Sequence, residues 1–324
     1  MKIFVIGATG YIGSVVAERL QADGHVLSGL ARSDASAAAL SDMGVTPVRG
    51  AMGDVAVIAQ AARGADAVVQ IATGGFLAQA LETVDAAMRT TDAILDALAG
   101  TDKPYVYTGG TGMWLDTGIM IPERVVTEAD PVAPPYFYAH LVEIYRKLMS
   151  TDAVRAIILA PGQLYGRGGG YIGPIARLFN GVRRHGFVAA VAPGDNAFTY
   201  VHVDDLADLY ALALNTPDTR GLFIGATDTV PQMEVARAVS RAAGLGGEVK
   251  LVDYPTMREL NGRANELDFW LNCRASSEKA RTELGWQPRR PGVVDTLAQL
   301  PKPLDLGTVY PEPKRQAAAS RVSF

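Results

Sequence analysis

The chain has 324 residues, of which 48% are hydrophobic and 20% charged, a composition that excludes a disordered protein and fits one large α/β domain or a two-domain body. Its 30 basic and 34 acidic residues leave a formal charge of −4, too small to favour nucleic acid or an anionic membrane as a partner. The single cysteine, Cys273, excludes an intrachain disulfide and a cysteine-based metal cluster. We therefore expect a small-molecule substrate, no metal site and a reducing compartment.

The first predicted element is a short apolar run at the N-terminus. Residues 2–6 run directly into Gly7, so the stretch is too short for a signal peptide and indicates a strand. No stretch reaches the roughly 18 consecutive apolar residues that a membrane-spanning helix needs. These features predict a cytoplasmic protein that does not contact a membrane.

Short β-rich runs alternate with helical patterns through the first half of the chain. This alternation predicts an α/β fold built on a doubly wound parallel sheet. Before the fifth strand, apolar residues recur every three or four positions along a helix over residues 81–98. That stripe predicts packing on the sheet or against the same helix of a second subunit, which would make a homodimer. The predicted strands are residues 2–6, 25–30, 45–48, 67–71, 104–108 and 155–159.

The pattern changes after Pro161, where glycine-rich stretches interrupt the alternation and two helical segments have no strand beside them. We therefore predict a smaller lobe that covers the carboxyl edge of the sheet, where ligands of open α/β sheets bind. The last residues contain four prolines and predict an extended tail. The predicted boundaries are a dinucleotide-binding domain at 1–160, to which 195–225 returns, a substrate-binding lobe at 161–194 and 226–300, and the tail at 301–324.

A glycine-rich loop joins the first strand to a helix predicted over residues 11–21. Such a loop needs glycine where the turn is tight, where the backbone approaches a pyrophosphate and where the helix packs on the strand. The helix N-terminus then offers unpaired N–H groups to the phosphates. Because the motif lies between a strand and a helix, it predicts a dinucleotide site. The residues assigned to this site are Gly7, Thr9, Gly10, Tyr11, Ile12 and Gly13.

The residues after the second strand predict the preferred coenzyme. NAD-dependent enzymes commonly place an acid here to bind the ribose 2′-hydroxyl. Ala31 has no side-chain acceptor for that hydrogen bond. The planar guanidinium of Arg32, in contrast, can donate two hydrogen bonds to a 2′-phosphate, and Ser33 adds a hydroxyl. We therefore expect NADP(H) to be preferred, although NAD(H) also fits the glycine loop; the alternative is that Arg32 is a solvated residue at a strand end. Asp54 either approaches the adenine amino group or caps the following helix.

A series of motifs follows a recognisable order along residues 1–300. They are the glycine loop at 7–13, Asp54, Val-Gln-Ile-Ala at 69–72, Tyr-Thr-Gly-Gly at 107–110, Pro-Gly-Gln-Leu-Tyr-Gly at 161–166, Val-His-Val-Asp-Asp-Leu-Ala at 201–207 and Glu-Leu-Gly-Trp-Gln-Pro at 283–288. This order resembles that of extended short-chain dehydrogenases/reductases, the NAD-dependent epimerase/dehydratase-like superfamily. The resemblance implies a Rossmann-type fold, a nicotinamide dinucleotide cofactor that Ala72 contacts, and a structural role for the segment containing His202.

The catalytic helix departs from the pattern that the resemblance implies. The family uses a Tyr-x-x-x-Lys pair, in which the tyrosine passes a proton to or from the substrate oxygen while the lysine holds the ribose. Tyr136 matches the tyrosine, with Tyr138 as an alternative, and His140 stands where the lysine belongs. An unperturbed imidazole, with a pKa of about 6.5, is mostly neutral at pH 7 and would lower the tyrosine pKa far less. His140 is therefore either the ribose contact or a packing histidine.

The second catalytic hydroxyl of the family is also displaced. The family has Ser or Thr after the fifth strand, where Gly110 falls in this chain. Thr111, one residue later, is the predicted replacement, and Thr108 is the other hydroxyl at this strand end.

The substrate side argues against a nucleotide sugar. Enzymes of this superfamily hold the substrate diphosphate with an Asn and an Arg, and here Gln163 and Phe198 stand at those positions. Trp114 adds an aromatic ring to the expected pocket, which favours an apolar carbonyl compound. The sequence therefore predicts an NADP-dependent carbonyl reductase or alcohol dehydrogenase. The alternatives are an epimerase, isomerase or dehydratase that uses nicotinamide transiently, and a catalytically weakened NADP-binding sensor or regulatory protein.

Overall fold

The structure, a computed structural model, describes residues 1–72, 81–114, 121–132, 134, 139–168, 173–261, 271–302 and 304–305. The strands are β1 (Lys2–Ile6), β2 (Val26–Ala31), β3 (Thr46–Arg49), β4 (Ala67–Gln70), β5 (Pro104–Thr108), β6 (Val125–Val126), β7 (Arg155–Pro161), β8 (Gln163–Tyr165), β9 (Ala189–Val191), β10 (Ala197–His202), β11 (Gly221–Gly225), β12 (Asp228–Pro231), β13 (Lys250–Val252) and β14 (Arg274–Ala275). The helices are α1 (Tyr11–Ala22), α2 (Asp34–Asp42), α3 (Val55–Gly64), α4 (Leu81–Leu98), α5 (Ala139–Ser150), α6 (Gly173–His185), α7 (Val203–Asn215), α8 (Gln232–Ala242), α9 (Tyr254–Asn261), α10 (Glu278–Leu284) and α11 (Val293–Ala298).

The central sheet has seven strands in the order β11-β7-β5-β4-β1-β2-β3, and every neighbouring pair is parallel. The order reverses between β1 and β4, so a crevice opens there at the carboxyl edge. This arrangement confirms the predicted doubly wound α/β fold. The six predicted strands correspond to β1, β2, β3, β4, β5 and β7, and the observed strand ends differ from the predicted ones by at most two residues.

Helices cover both faces of this sheet, which explains why its strands are nearly continuous apolar runs. On one face, α1, α2 and α7 pack around Val16, Leu40 and Leu206. On the other, α3, α4 and α5 pack around Ile94 and Ile144. The bounds of α4 agree with the helix predicted over 81–98, and its buried residues belong to the core on the sheet.

The smaller lobe is built on a three-stranded sheet in which β10 lies between β8 and β12. Within the predicted returning segment 195–225, β11 is a strand of the central sheet and α7 packs on that sheet, whereas β10 pairs outside it. The domain boundaries stay predictions. The lobe also contains α6, a helix that the glycine-rich sequence did not indicate. Of the predicted tail, residue 303 and residues 306–324 lie outside the described part of the chain.

Asp205 joins two of the sequence motifs physically. Its carboxylate accepts hydrogen bonds from the backbone N–H groups of Arg289 and Arg290 at 2.9 and 3.1 Å. The Trp286 indole donates to the Asp205 carbonyl at 2.8 Å. These bonds fix the start of α7 to the segment after α10. The motifs at 201–207 and 283–288 therefore have a structural role in the fold.

Two kinds of feature are absent from the residues that the structure describes. No helix in them has the length and apolar character needed to cross a membrane. Those residues also contain no group of three or more His, Cys, Asp or Glu arranged to hold a metal ion.

Candidate functional site

The glycine loop after β1 has the close backbone contacts that a dinucleotide cradle requires. Gly7 adopts a φ of 99°, and a Cβ there would lie 2.7 Å from the backbone nitrogen of Ala72. A Cβ at Gly13 would overlap the carbonyl oxygen of Gly7. Gly10 is the N-cap of α1 and, as a glycine, provides no side-chain cap. A helix N-terminus of this kind is a typical binding site for a phosphate. The loop therefore fits a pyrophosphate.

Buried hydrogen bonds hold the end of β4 beside this loop. The Gln70 amide donates to Ala72 O at 3.3 Å, and its Oε1 accepts from the Tyr105 hydroxyl at 2.5 Å. Thr108 Oγ1 donates to Gln70 O at 2.9 Å and also bonds to the Tyr210 hydroxyl. The Thr108 hydroxyl thus donates one hydrogen bond and accepts another inside the core. Because its acceptor is Gln70, whose side chain binds Ala72, it helps to position Ala72, the predicted cofactor contact. Thr108 and Thr111 are both buried, and the catalytic role of Thr111 stays a prediction.

The loop after β5 is held by Tyr145 of α5. The Tyr145 hydroxyl accepts from the Gly110 N–H at 3.0 Å, and a Cβ at Gly109 would overlap that oxygen. Burial raises the pKa of Tyr145, so the hydroxyl stays neutral at ordinary pH. On the other side of the loop, the Cys273 thiol donates to Thr111 O at 3.2 Å. Gly109 therefore leaves room for the Tyr145 hydroxyl, and Gly110, where the family has a hydroxyl residue, donates its N–H to that hydroxyl.

The ribose end of the site is exposed. Arg32 follows β2 with an exposed side chain. Ser33 is the N-cap of α2: its hydroxyl accepts from the Ser36 N–H at 3.2 Å, in a capping box with Ser36. That hydroxyl is thus engaged in stabilising α2, and Arg32 is the group free to meet a 2′-phosphate. The binding of NADP(H) by Arg32 and Ser33 stays a prediction.

Asp54 lies at the N-terminus of α3 but does not cap it with its side chain. Its Oδ2 instead accepts from the Ala51 N–H at 2.5 Å, which closes the turn before the helix. The cap that we considered from the sequence is therefore absent, and Asp54 shapes the loop after β3. Its approach to adenine stays a prediction.

The predicted acid/base residues are described only in part. Tyr136 and Tyr138 lie outside the described residues, and of His140 the structure gives its place in the first turn of α5. Their catalytic roles stay predictions. The later part of the same helix is fixed by Ile144 and Tyr145, both buried in the core.

The predicted substrate residues occupy two kinds of position. Phe198 and Trp114 are fully buried, and the Trp114 indole donates to Asp130 O at 3.3 Å, so core packing already accounts for both rings. Gln163 is partly exposed at the start of β8, and its Oε1 would lie 2.5 Å from a Cβ at Gly173, where α6 begins. Gln163 is therefore the polar group at the junction of β8 and α6. Substrate contact by all three stays a prediction.

Tyr11 and His202 belong to a set of contacts between the glycine-loop helix and the start of α7. The Tyr11 hydroxyl donates to Gly166 O at 3.0 Å. The next residue, Arg167, pairs with Glu18 of α1 at 2.9 Å and with Asp204 of α7 at 2.5 Å. His202 Nδ1 accepts from the Asp204 N–H at 3.2 Å and caps α7, and burial lowers the pKa of His202. A neutral imidazole in this position is structural.

Sequence reasoning assigned no individual role to Tyr145, Tyr210 or Gln70, although Gln70 belongs to the motif at 69–72. The double glycine at 109–110 was a signal for the first of these, because adjacent glycines after a strand indicate a close approach by another group. Gln70 and Tyr210 carry no comparable signal, since each acts through contacts between segments far apart in the sequence.

Comparisons with known proteins agree with this architecture. A family model described as "NAD dependent epimerase/dehydratase family" matches residues 3–223. The uncharacterized protein YLL056C of Saccharomyces cerevisiae is 29% identical over 309 residues, covering 92% of this chain and 98% of its own length. The uncharacterized protein C2A9.02 of Schizosaccharomyces pombe is 28% identical over 306 residues, with the same two coverages of 92% and 98%.

Solved structures share the fold. The crystal structure of gox2253 has a TM-score of 0.72 at 24% identity, covering 92% of this chain and 96% of its own. Human epimerase family protein SDR39U1, solved with NADPH, has a TM-score of 0.69 at 19% identity, covering 93% and 99%. The family model spans about two thirds of the sequence, including the glycine loop, and confirms both the resemblance and the nicotinamide dinucleotide as cofactor class. The chain belongs to the NAD-dependent epimerase/dehydratase family.

Proposed function

We propose that this protein is an NADP-dependent oxidoreductase, a carbonyl reductase or alcohol dehydrogenase that acts on a small, largely apolar substrate. The observation that carries the proposal is the combination of a complete glycine cradle with an uncharged, fully buried Phe198 at the position that the family resemblance assigns to a diphosphate-binding arginine. An aromatic ring there cannot neutralise a diphosphate. The glycine loop that binds the cofactor thus matches the family pattern, whereas the position that binds the diphosphate of a nucleotide sugar does not.

The coenzyme preference rests on the end of β2. Ala31 is buried and offers no acceptor for a ribose hydroxyl, and the exposed Arg32 next to it offers a guanidinium to a phosphate. Human SDR39U1, which shares this fold, is solved with NADPH, and the UDP-glucose 4-epimerase of Thermus thermophilus is solved with NAD. Both coenzymes thus occur among the fold relatives, and Arg32 favours the phosphorylated one.

The roles of this chain's own residues follow from carbonyl chemistry. A bound nicotinamide supplies the hydride that reaches the carbonyl carbon, or accepts it in the reverse direction. The Tyr136 hydroxyl donates the proton that the carbonyl oxygen gains, Thr111 donates a second hydrogen bond to that oxygen, and His140 binds the ribose. The hydrogen bonds of Gly110 and Thr111 to Tyr145 and Cys273 keep the loop that carries Thr111 in one conformation.

A cofactor-consumption assay tests the proposal. The purified protein is incubated with NADPH and a panel of aromatic and aliphatic aldehydes and ketones, and the loss of the reduced nicotinamide absorbance is compared with the alcohol formed. We expect one NADPH consumed for each alcohol produced. UDP- and dTDP-sugars serve as control substrates and should not be converted. Conversion of a nucleotide sugar without net oxidation of the coenzyme would contradict the proposal.

Two other functions have specific support. The solved structures that share this fold include a UDP-glucose 4-epimerase and a dTDP-glucose 4,6-dehydratase, which favours an epimerase or dehydratase with transient use of the cofactor. The histidine at position 140 in place of lysine favours a weakened, NADP-sensing protein. The same assay separates the three: stoichiometric NADPH loss marks the reductase, substrate conversion without loss marks the epimerase, and tight binding without turnover marks the sensor.

A further inference from the structure

The carboxyl ends of β2 and β3 bring a second arginine beside the ribose end of the site. The two strands are parallel neighbours in which Ala31 lies opposite Arg49, and the Gly50 N–H donates to Ala31 O at 3.1 Å. Arg49 therefore lies at the same edge of the sheet as Arg32. Both side chains are exposed, that of Arg49 to 56%.

Arg49 is paired with the first residue of α2. Its Nη2 donates to Asp34 Oδ1, and the Asp34 side chain is 98% exposed. Asp34 directly follows the N-cap Ser33, so its carboxylate lies where the chain turns from β2 into α2, next to the region in which the adenosine ribose of a Rossmann-type protein binds. An ion pair this exposed contributes little to folding, so Arg49 can change partner at little cost in stability.

The two charges act on a 2′-phosphate in opposite senses. A phosphate monoester carries between one and two negative charges at neutral pH and binds a guanidinium through two parallel hydrogen bonds. Arg49 therefore attracts it, whereas Asp34 repels it and competes with it for the same guanidinium. A ribose 2′-hydroxyl is neutral, so the Arg49 charge gains little from it.

We propose that the Asp34–Arg49 pair sets the coenzyme selectivity of this protein. Arg49 leaves Asp34 to bind the 2′-phosphate of NADP(H) together with Arg32, and Asp34 holds Arg49 beside the pocket when no phosphate is bound. The inference rests on the coenzyme part of the proposed function and adds two residues that sequence reasoning did not single out. It has a distinctive consequence, since removing the two halves of one ion pair changes the affinity for NADPH in opposite directions.

The test compares Arg49→Ala and Asp34→Asn by fluorescence titration with NADPH and NADH, at low salt. Arg49→Ala should weaken NADPH binding by about 10-fold, the lower end for a charge-assisted contact, because the site is exposed. Its affinity for NADH should change by less than about 2-fold. Asp34→Asn should tighten NADPH binding by about 3-fold, because it removes a repelling charge and a competing acceptor. Higher salt should reduce both effects.

A matched control pair lies at the opposite, amino edge of the sheet. Arg220 and Asp102 are 3.8 Å apart and 46% and 79% exposed. Arg220→Ala and Asp102→Asn remove the same kinds of charge from the same protein, far from the carboxyl edge. Neither should change the ratio of the NADPH and NADH affinities. Thermal unfolding of all four variants confirms that each one folds.

The possible results separate this inference from the proposed reaction. Equal losses for both coenzymes in Arg49→Ala, or no loss, would overturn the inference. A selective loss of NADH binding in Asp34→Asn would overturn it too, because Asp34 would then be an acceptor for the ribose hydroxyl. A wild-type protein that binds neither coenzyme would defeat both proposals. If the two variants shift NADPH affinity in opposite directions but no carbonyl compound is reduced, the ion pair keeps its role and the reductase proposal fails.

Discussion

The nucleotide end and the catalytic end of this site lie at the same edge of one sheet, yet they are built in different ways. At the nucleotide end, Gly7 and Gly13 bring the backbone of β1, α1 and the β4 loop so close that a methyl group at either position would overlap a neighbour. At the catalytic end, Gly109 leaves room for the Tyr145 hydroxyl, and Gly110 stands where the family has a hydroxyl residue.

The difference shows that the two ends have different structural requirements. A pyrophosphate cradle uses backbone N–H groups and a helix terminus, so it requires glycine at fixed positions. Proton transfer uses individual side chains, and a change in one can be offset by another that reaches the same space. Tyr145 takes its present position only because residue 109 is glycine, since a Cβ there would overlap the Tyr145 hydroxyl.

The largest expected effect is at Tyr136, the predicted acid/base. Tyr136→Phe removes one oxygen and should reduce turnover by about 10²-fold or more, the usual scale for general acid/base catalysis, with NADPH affinity nearly unchanged. Steady-state kinetics with the best carbonyl substrate and a coenzyme titration measure the two quantities separately. Full activity in this variant would transfer the role to Tyr138, which Tyr138→Phe then tests, or end the tyrosine mechanism.

A second prediction concerns the hydroxyl that holds the β5 loop. Tyr145→Phe leaves the Gly110 N–H buried without its acceptor, which should lower the free energy of unfolding by about 1–3 kcal/mol. Tyr107→Phe is the matched control, because the ring of Tyr107 packs 6.4 Å from that of Tyr145 and its buried hydroxyl has no hydrogen-bond partner among the described residues. Urea denaturation of both variants should show a loss for Tyr145 alone. Equal losses would mean that the ring environment, not the hydrogen bond, is responsible.

The same contrast determines how much could be predicted from the sequence. Six of the seven strands of the central sheet, α4 and the glycine loop follow from periodicity and from the conformational needs of glycine, and these are confirmed; β11 was not predicted. The place of β10 outside the central sheet was not predicted, because a strand that is buried on both faces shows no alternation that would assign it to one sheet or the other. The hydrogen bond from the Gly110 N–H to the Tyr145 hydroxyl was also missed, because the two residues are 35 positions apart in the sequence. The adjacent glycines at 109 and 110 are the one sequence feature that indicates it.

The third prediction tests whether Arg32 belongs to the nucleotide end. Arg32→Ala should weaken NADPH binding by about 10-fold, the lower bound for a charge-assisted phosphate contact, because screening acts on an exposed strand end. NADH affinity should hardly change. Ala31→Asp is the complementary variant, since it adds a ribose acceptor and repels the phosphate. Equal affinity of the wild type for both coenzymes, or equal losses in Arg32→Ala, would show that Arg32 is a solvated surface residue.

The smallest expected change in rate, and the one that most sharpens the comparison, is at His140. If this histidine replaces the lysine of the family, its protonated form assists the tyrosine better than its neutral form, so the rate should fall as the pH rises through the histidine pKa. A lysine stays charged to much higher pH, so His140→Lys should keep the activity at neutral pH and raise it at alkaline pH. The pH–rate profiles of the wild type and this variant, measured with saturating NADPH, should therefore separate only on the alkaline side. His140→Ala provides the opposing control: unchanged kinetics in that variant would make His140 a packing residue, and the catalytic end would then lack any replacement for the family's lysine.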